Sequence, residues 1–207
     1  MKNVFAGCCL LLALGACSVF KKQPKDDLVT ITTDVGTIDL VLFDATPKHK
    51  ANFEKLAKSK FYDGTTFHRV IDNFMIQGGD PNSKDANPAN DGSGENGYTV
   101  PAEFAPGLTH VQGAVAAARM GDDVNPKKES SGCQFYIVEN KEGTHFLDNN
   151  YTVFGQVVKG METVERIAEQ KKNAADRPLK DIKMTVQVKR LTKASISKTY
   201  GYTYPAQ

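Results

Sequence analysis

The chain has 207 residues, of which 40% are hydrophobic and 24% charged, an ordinary globular mix with enough apolar side chains for one sizeable core. Its 26 basic and 24 acidic residues leave a formal net charge of +2, so composition makes no electrostatic case for nucleic acid or for an acidic partner. No run of about 20 apolar residues occurs, so no segment reads as a membrane-spanning helix.

The first residues read as a targeting signal. Met1, Lys2 and Asn3 form a short positive start, and Val4 to Leu14 is an apolar run of signal-peptide length. Leu14-Gly15-Ala16-Cys17 follows and resembles the lipobox of bacterial lipoproteins. That resemblance implies a signal peptide over residues 1–16, cleavage before Cys17, and lipid on Cys17. Several acyl chains anchor stably where one alone is marginal. Residues 17–27 then form the lipidated cysteine and a polar tether. The expected location is the bacterial cell envelope, held to a membrane through Cys17. Ser18 fits sorting to the outer membrane. Cys8 and Cys9 fall in the signal, which leaves Cys133 alone in the folded part and no intramolecular disulfide to form. Cys133 reads as a small packing residue.

Val29 to Thr33 and Thr37 to Phe43 alternate around Asp34-Val35-Gly36 and predict a hairpin. Thr46-Pro47 predicts a helix start, with Thr46 as cap and Pro47 in the first turn. Phe53, Leu56 and Ala57 form its apolar stripe, and Tyr62-Asp63-Gly64 ends it. Thr65 to Val70 and Phe74 to Gln77 predict paired strands, stopped at Gly78-Gly79-Asp80-Pro81. Residues 82–97 predict a long polar loop. Strands are expected at 113–119, 134–138, 152–158 and 182–188, with a second long loop at 120–132 and a second helix at 160–169. Residues 193–207 hold no acid and three tyrosines, and read as a loose tail. Many short strands with only two helices suggest a mainly β fold built on a closed antiparallel sheet, with a helix available to plug each open end of a small barrel.

No nucleotide-binding or hydrolase motif is present, and the four histidines lack metal-ligand spacing, so no metal is expected. Three segments are far more specific. They are Phe67-His68-Arg69-Val70-Ile71-Asp72-Asn73-Phe74-Met75-Ile76-Gln77-Gly78-Gly79-Asp80, then Cys133-Gln134-Phe135-Tyr136-Ile137, then Phe146-Leu147-Asp148 with Tyr151-Thr152-Val153-Phe154-Gly155-Gln156-Val157. In this order they resemble the cyclophilin family of peptidyl-prolyl isomerases, of the bacterial kind, from about Leu28 to Leu191. That resemblance implies a closed eight-stranded antiparallel β-barrel capped by two α-helices, a domain at residues 28–192, and no cofactor.

Period-two spacing places Phe67 with Arg69, Met75 with Gln77, and Gln134 with Tyr136 on shared strand faces, each pairing a polar group with an apolar or aromatic one. The resemblance implies that Arg69 is the catalytic arginine. It implies that Phe74, Met75, Tyr136 and Leu147 form a proline pocket, and that Gln77 and Gln134 hold the substrate backbone. Ala118 and Arg119 would pair with the residue before proline, and Phe146 and Tyr151 would close the pocket from a loop. Tyr136 stands where many members have Phe, so its hydroxyl needs a partner. Arg119 stands for a frequent Asn, with an expected bias toward acidic residues before proline. The implied partners are proline-containing polypeptide clients, with the enzyme a monomer. The competing reading is a proline-peptide binding module with little turnover.

Overall fold

The computed structural model describes residues 23–205, so the signal, Cys17 and most of the tether lie outside the described residues. Ten strands and three α-helices follow one another: β1 (Lys25–Thr33), β2 (Thr37–Leu42), α1 (Pro47–Lys58), β3 (Phe67–Ile71), β4 (Met75–Gly78), β5 (Thr99–Val100), β6 (Ala114–Ala117), β7 (Ser130–Ser131), β8 (Phe135–Val138), β9 (Val153–Lys159), α2 (Met161–Ala168), β10 (Met184–Thr192) and α3 (Lys193–Tyr200). Eight strands form one antiparallel sheet in the order β10-β1-β2-β9-β6-β8-β4-β3, and β5 pairs with β7 apart from it.

The sheet curls, but its ends β3 and β10 are not joined by a ladder. They meet at one isolated bridge, Thr66 to Lys183, flanked by bonds from Phe67 N to Ile182 O (3.1 Å) and Met184 N to Thr65 O (2.8 Å). Beyond that point the outer edge of β3 is taken by another segment. Val70 N donates to Asp176 O, and Lys172 Nζ donates to Val70 O. The expected closed barrel is therefore corrected to a curled, incompletely closed sheet.

The concave side holds the main core. Phe53 of α1 packs against Tyr62, Phe135 and Phe154 with ring centroids 4.9–5.6 Å apart, and Val164, Ile167 and Ala168 of α2 join the same cluster. Burying a large apolar side chain contributes roughly 1.5–3 kcal/mol each. The start of α1 is capped otherwise than expected. Thr46 makes no capping bond, and the Glu103 carboxylate instead accepts Lys48 N (3.1 Å) and His49 N (3.0 Å). Negative charge is favourable at a helix N-terminus. Glu103 also binds His49 Nδ1 at 2.7 Å, and His49 Nε2 meets Ser130 Oγ at 2.9 Å.

Both chain boundaries need correction. Lys25, Asp26 and Asp27, expected in the tether, are strand residues paired with Thr192, Leu191 and Arg190. Asp26 and Asp27 are buried, bonded to Lys50 and to Lys58 with Arg190. The tail is not loose. Thr192 accepts Ser195 N as the cap of α3, and Lys193 N donates to Pro24 O at 2.8 Å. Ile196 is fully buried against Leu28 and Val41, and Tyr200, Tyr202 and Tyr204 pack on the same cluster. Tyr202 and Tyr204 meet edge to face, with Lys193 Nζ 4.7 Å over the Tyr204 ring. A single buried isoleucine in a polar segment carries no periodicity from which to read this packing. Ile196→Ala should therefore destabilise the domain by about 2–5 kcal/mol in urea unfolding, as deletion of a buried side chain does. A loose tail would give a change within about 0.5 kcal/mol.

Candidate active site

The convex face of the same strands builds a second, smaller surface. On β8, Phe135 and Ile137 point into the main core while Tyr136 and Val138 point outward, as alternation requires. On β4, Ile76 points inward and Met75 outward. β3 breaks this rule. Phe67 pairs with Gly78 and Arg69 with Gln77, so the register shifts by one residue at His68. A bulge of this kind re-aims the side chains that follow it. Phe67 is therefore fully buried in the core, and Arg69 lies on the outer face. The expected shared face of Phe67 and Arg69 does not exist.

With the bulge in place, Arg69 pairs with Gln77, Gln77 with Tyr136, and Tyr136 with Ala116, a single row across β3, β4, β8 and β6. Around this row lies a pocket of about 140 Å³ lined by Arg69, Phe74, Met75, Gln77, Ala118, Arg119, Tyr136, Leu147 and Tyr151. That volume is well below the ~300–1,000 Å³ of drug-sized sites and suits one small ring. Nine of the predicted site residues are brought together. The Arg69 guanidinium has no ion pair and no hydrogen bond among the described residues, so its donors are free for a ligand.

Two predicted residues sit elsewhere. Gln134 is buried behind the pocket rather than in it. It donates to the Gly92 and Gly94 carbonyls at 3.1 and 2.8 Å, and its oxygen accepts Gln77 Nε2 at 3.1 Å. It thereby fixes Gln77 and the 92–94 segment. Phe146 is 72% exposed and stacks on Phe74 at 5.8 Å, which makes it an outer rim. Arg119 lines the pocket, but its charge is already used. It bonds Asp122 (2.6 Å), Asn150 O (2.7 Å) and Met120 O (2.9 Å), and it lies 4.6 Å over the Tyr151 ring. The expected attraction for acidic residues is weakened accordingly.

Sequence reasoning missed the partner of Tyr136. Its hydroxyl meets His110 Nε2 at 2.9 Å, and His110 Nδ1 meets Asp148 Oδ1 at 2.7 Å. Burial pushes the Tyr136 hydroxyl well above the ordinary tyrosine range and holds the His110 imidazole below its usual value. The one available signal was chemical: a buried tyrosine demands an acceptor. His68, at the bulge, is buried with neither ring nitrogen partnered among the described residues.

Comparison with known proteins bears on this geometry. The sequence profile of the family described as cyclophilin type peptidyl-prolyl cis-trans isomerase/CLD matches residues 28–188. A Staphylococcus haemolyticus protein whose name includes the words peptidyl-prolyl cis-trans isomerase is 34% identical over 187 residues, covering 77% of this chain and 89% of its own. A similarly named Staphylococcus aureus protein is 35% identical, covering 77% and 90%. A crystal structure of a Cryptosporidium parvum cyclophilin type peptidyl-prolyl cis-trans isomerase superposes with a TM-score of 0.69 at 27% identity, over 80% of this chain and 98% of that one. A second crystal structure of that protein, in the presence of the dipeptide Ala-Pro, gives 0.68 at 27% identity, over 78% and 98%.

His49, His68 and His110 share one electrostatic property. Burial holds each imidazole below its ordinary value of 6.5. The unfolded chain, with histidines near 6.5, binds those protons first. Their contribution to stability is thus complete above about pH 6.5 and is lost as pH falls through the depressed values. Urea unfolding should show lower stability at pH 5 than at pH 7, with a shallower dependence in His49→Gln. Equal slopes in parent and variant would contradict this assignment.

Proposed function

This chain belongs to the cyclophilin-type peptidyl-prolyl cis-trans isomerases, and from that premise we propose that it isomerises X-Pro bonds of exported or surface polypeptides at the Arg69 pocket, assisting their folding. The observation that carries the reading is the row Arg69–Gln77–Tyr136, which sets an unpaired guanidinium beside a small pocket walled by Phe74, Met75, Leu147 and the Tyr136 ring.

The chemistry asks for little. Resonance gives the amide bond its ~18–20 kcal/mol rotational barrier. At the twisted transition state that resonance is lost, the nitrogen lone pair localises and the carbonyl oxygen sheds negative charge. A donor aimed at that nitrogen binds the transition state more tightly than either planar ground state, and this difference is catalysis. The proline ring would rest on Met75, Phe74, Leu147 and the Tyr136 ring. Gln77, braced by Gln134, would hold the substrate backbone, and Arg69 would supply the donor. Ala118 and Arg119 would border the residue before proline. Since uncatalysed X-Pro isomerisation takes tens to hundreds of seconds, acceleration matters to a folding chain.

The envelope location rests on the apolar run Val4 to Leu14 and on Leu14-Gly15-Ala16-Cys17. With lipid on Cys17, only Ser18 to Pro24 would separate the anchor from the first strand residue, Lys25. Seven extended residues span at most about 25 Å, so the domain would work close to the membrane surface.

Two experiments test these readings. Arg69→Ala in the full chain, assayed in detergent on a short X-Pro peptide, should lower kcat/KM by roughly ten- to a few-hundredfold, since a charged hydrogen bond is worth ~1.5–3 kcal/mol and ~1.4 kcal/mol is tenfold. Unchanged activity would remove Arg69 from the site, and a folded parent that binds proline peptides without turnover would favour a binding module. Labelled palmitate should enter the expressed chain and be lost in Cys17→Ser. Equal label in both would exclude Cys17 as the anchor.

A further inference from the structure

We infer that His110 and Asp148 are positioning residues for the proline pocket: Asp148 sets the protonation pattern of the His110 ring, and His110 holds the Tyr136 hydroxyl behind the pocket wall. The inference rests on the reading of that pocket as the X-Pro site. Its basis is a hydrogen-bond chain whose donors can be assigned from one end. Asp148 Oδ1 accepts the backbone N–H of His110 at 2.8 Å and faces its Nδ1 at 2.7 Å. A carboxylate only accepts, so Nδ1 carries the ring proton. The neutral imidazole then has its lone pair at Nε2, where it faces the Tyr136 oxygen at 2.9 Å. Tyr136 is therefore the donor, and its proton points away from the pocket. The other Asp148 oxygen is occupied by His145 Nδ1 at 2.9 Å, which fixes the carboxylate in turn.

The packing explains why this matters at the pocket. Tyr136 is almost entirely buried, and His110 is fully so. The two rings lie nearly parallel, 13° apart, and Tyr151 meets Tyr136 edge-on at 5.9 Å. Tyr136 thus forms a wall tied at its hydroxyl by His110 and contacted edge-on by Tyr151. A buried hydroxyl deprived of its acceptor costs about as much as a charged group's hydrogen bond is worth, or it turns toward the pocket to find a partner. Either outcome disturbs the surface offered to proline. A phenylalanine at this position would need no acceptor, so the importance of His110 depends on the presence of that one oxygen atom.

This dependence is the test. kcat and KM for a short X-Pro peptide are measured in the full chain for the parent, His110→Ala, Tyr136→Phe and the double variant. With Tyr136 present, His110→Ala should raise KM roughly tenfold, the size expected for one unsatisfied buried donor. With Phe at 136, the same substitution should change KM less than about twofold, a failure of additivity that only coupled residues show. Equal effects in both backgrounds, or none in either, would overturn the inference and leave His110 as ordinary packing. Asp148→Asn provides a milder probe should His110→Ala fold poorly, and its KM effect should likewise vanish with Phe at 136. Nitrogen-15 spectra of the His110 ring should show the proton on Nδ1 in the parent; a proton on Nε2 would overturn the chain of donors. A folded parent without turnover would count against the isomerase reading alone. The same cycle run on the peptide's Kd, together with the ring spectrum, would then decide the roles of His110 and Asp148.

Discussion

The site depends on one irregularity in one strand. Had β3 run without a bulge, Arg69 would share a face with Phe67, which is packed fully inside the core. An ionised guanidinium cannot be buried there without a partner, and a one-residue slip would turn the whole strand over. The extra residue at His68 resolves the conflict. It lets Phe67 complete the aromatic core and still delivers Arg69 to the outer face opposite Gln77. The ladders then carry the row through Tyr136 to Ala116. The core and the pocket are opposite faces of the same strands, so every residue that stiffens one also positions the other.

Around that row, polar side chains act mostly as braces. Gln134 ties Gln77 to the carbonyls of Gly92 and Gly94, and the 92–94 segment is held from its other side by Asp80, which accepts Gly92 N. The bulk of Gly94 is limited by the same arrangement: a Cβ there would sit 2.0 Å from Asp80 Oδ1. Arg119 is neutralised by Asp122 and laid across Tyr151. Among the cationic groups lining the pocket, Arg69 alone has no partner among the described residues, which leaves one uncommitted positive charge in the wall. Satisfied buried networks are rigid, and rigidity suits a reaction in which the protein has only to favour a twisted geometry.

Much of this was legible in the sequence. The eight long-sheet strands and the first two helices follow from alternation, from helical spacing and from the Gly, Asn and Pro punctuation between them. Nine of the proposed pocket residues converge as the motifs implied. Other features have no local signature. The bulge at His68 has no marker of its own: strict alternation through 67–71 puts Arg69 on the face of Phe67, and only the burial of Phe67 in three dimensions rules that out. The α1 cap comes from Glu103, far along the chain, and the partner of Tyr136 is His110, 26 residues away. α3 has only Ile196 to bury, and its packing depends on where Leu28 and Val41 lie in three dimensions. Closure of the sheet was expected, but it depends on which segment takes the free edge of β3, and at Val70 that is the 172–176 loop rather than β10.

The central claim is that the outer row Arg69–Gln77–Tyr136 is where X-Pro bonds are twisted. The most direct measurement is exchange NMR on the isotopically labelled chain mixed with an X-Pro peptide. The account predicts that a small amount of protein brings the peptide's cis and trans forms into rapid exchange, with shifts concentrated at the Arg69 side chain, Gln77, Tyr136 and Ala118. Exchange accompanied by shifts confined to another face, or shifts at this row with no exchange, would contradict it.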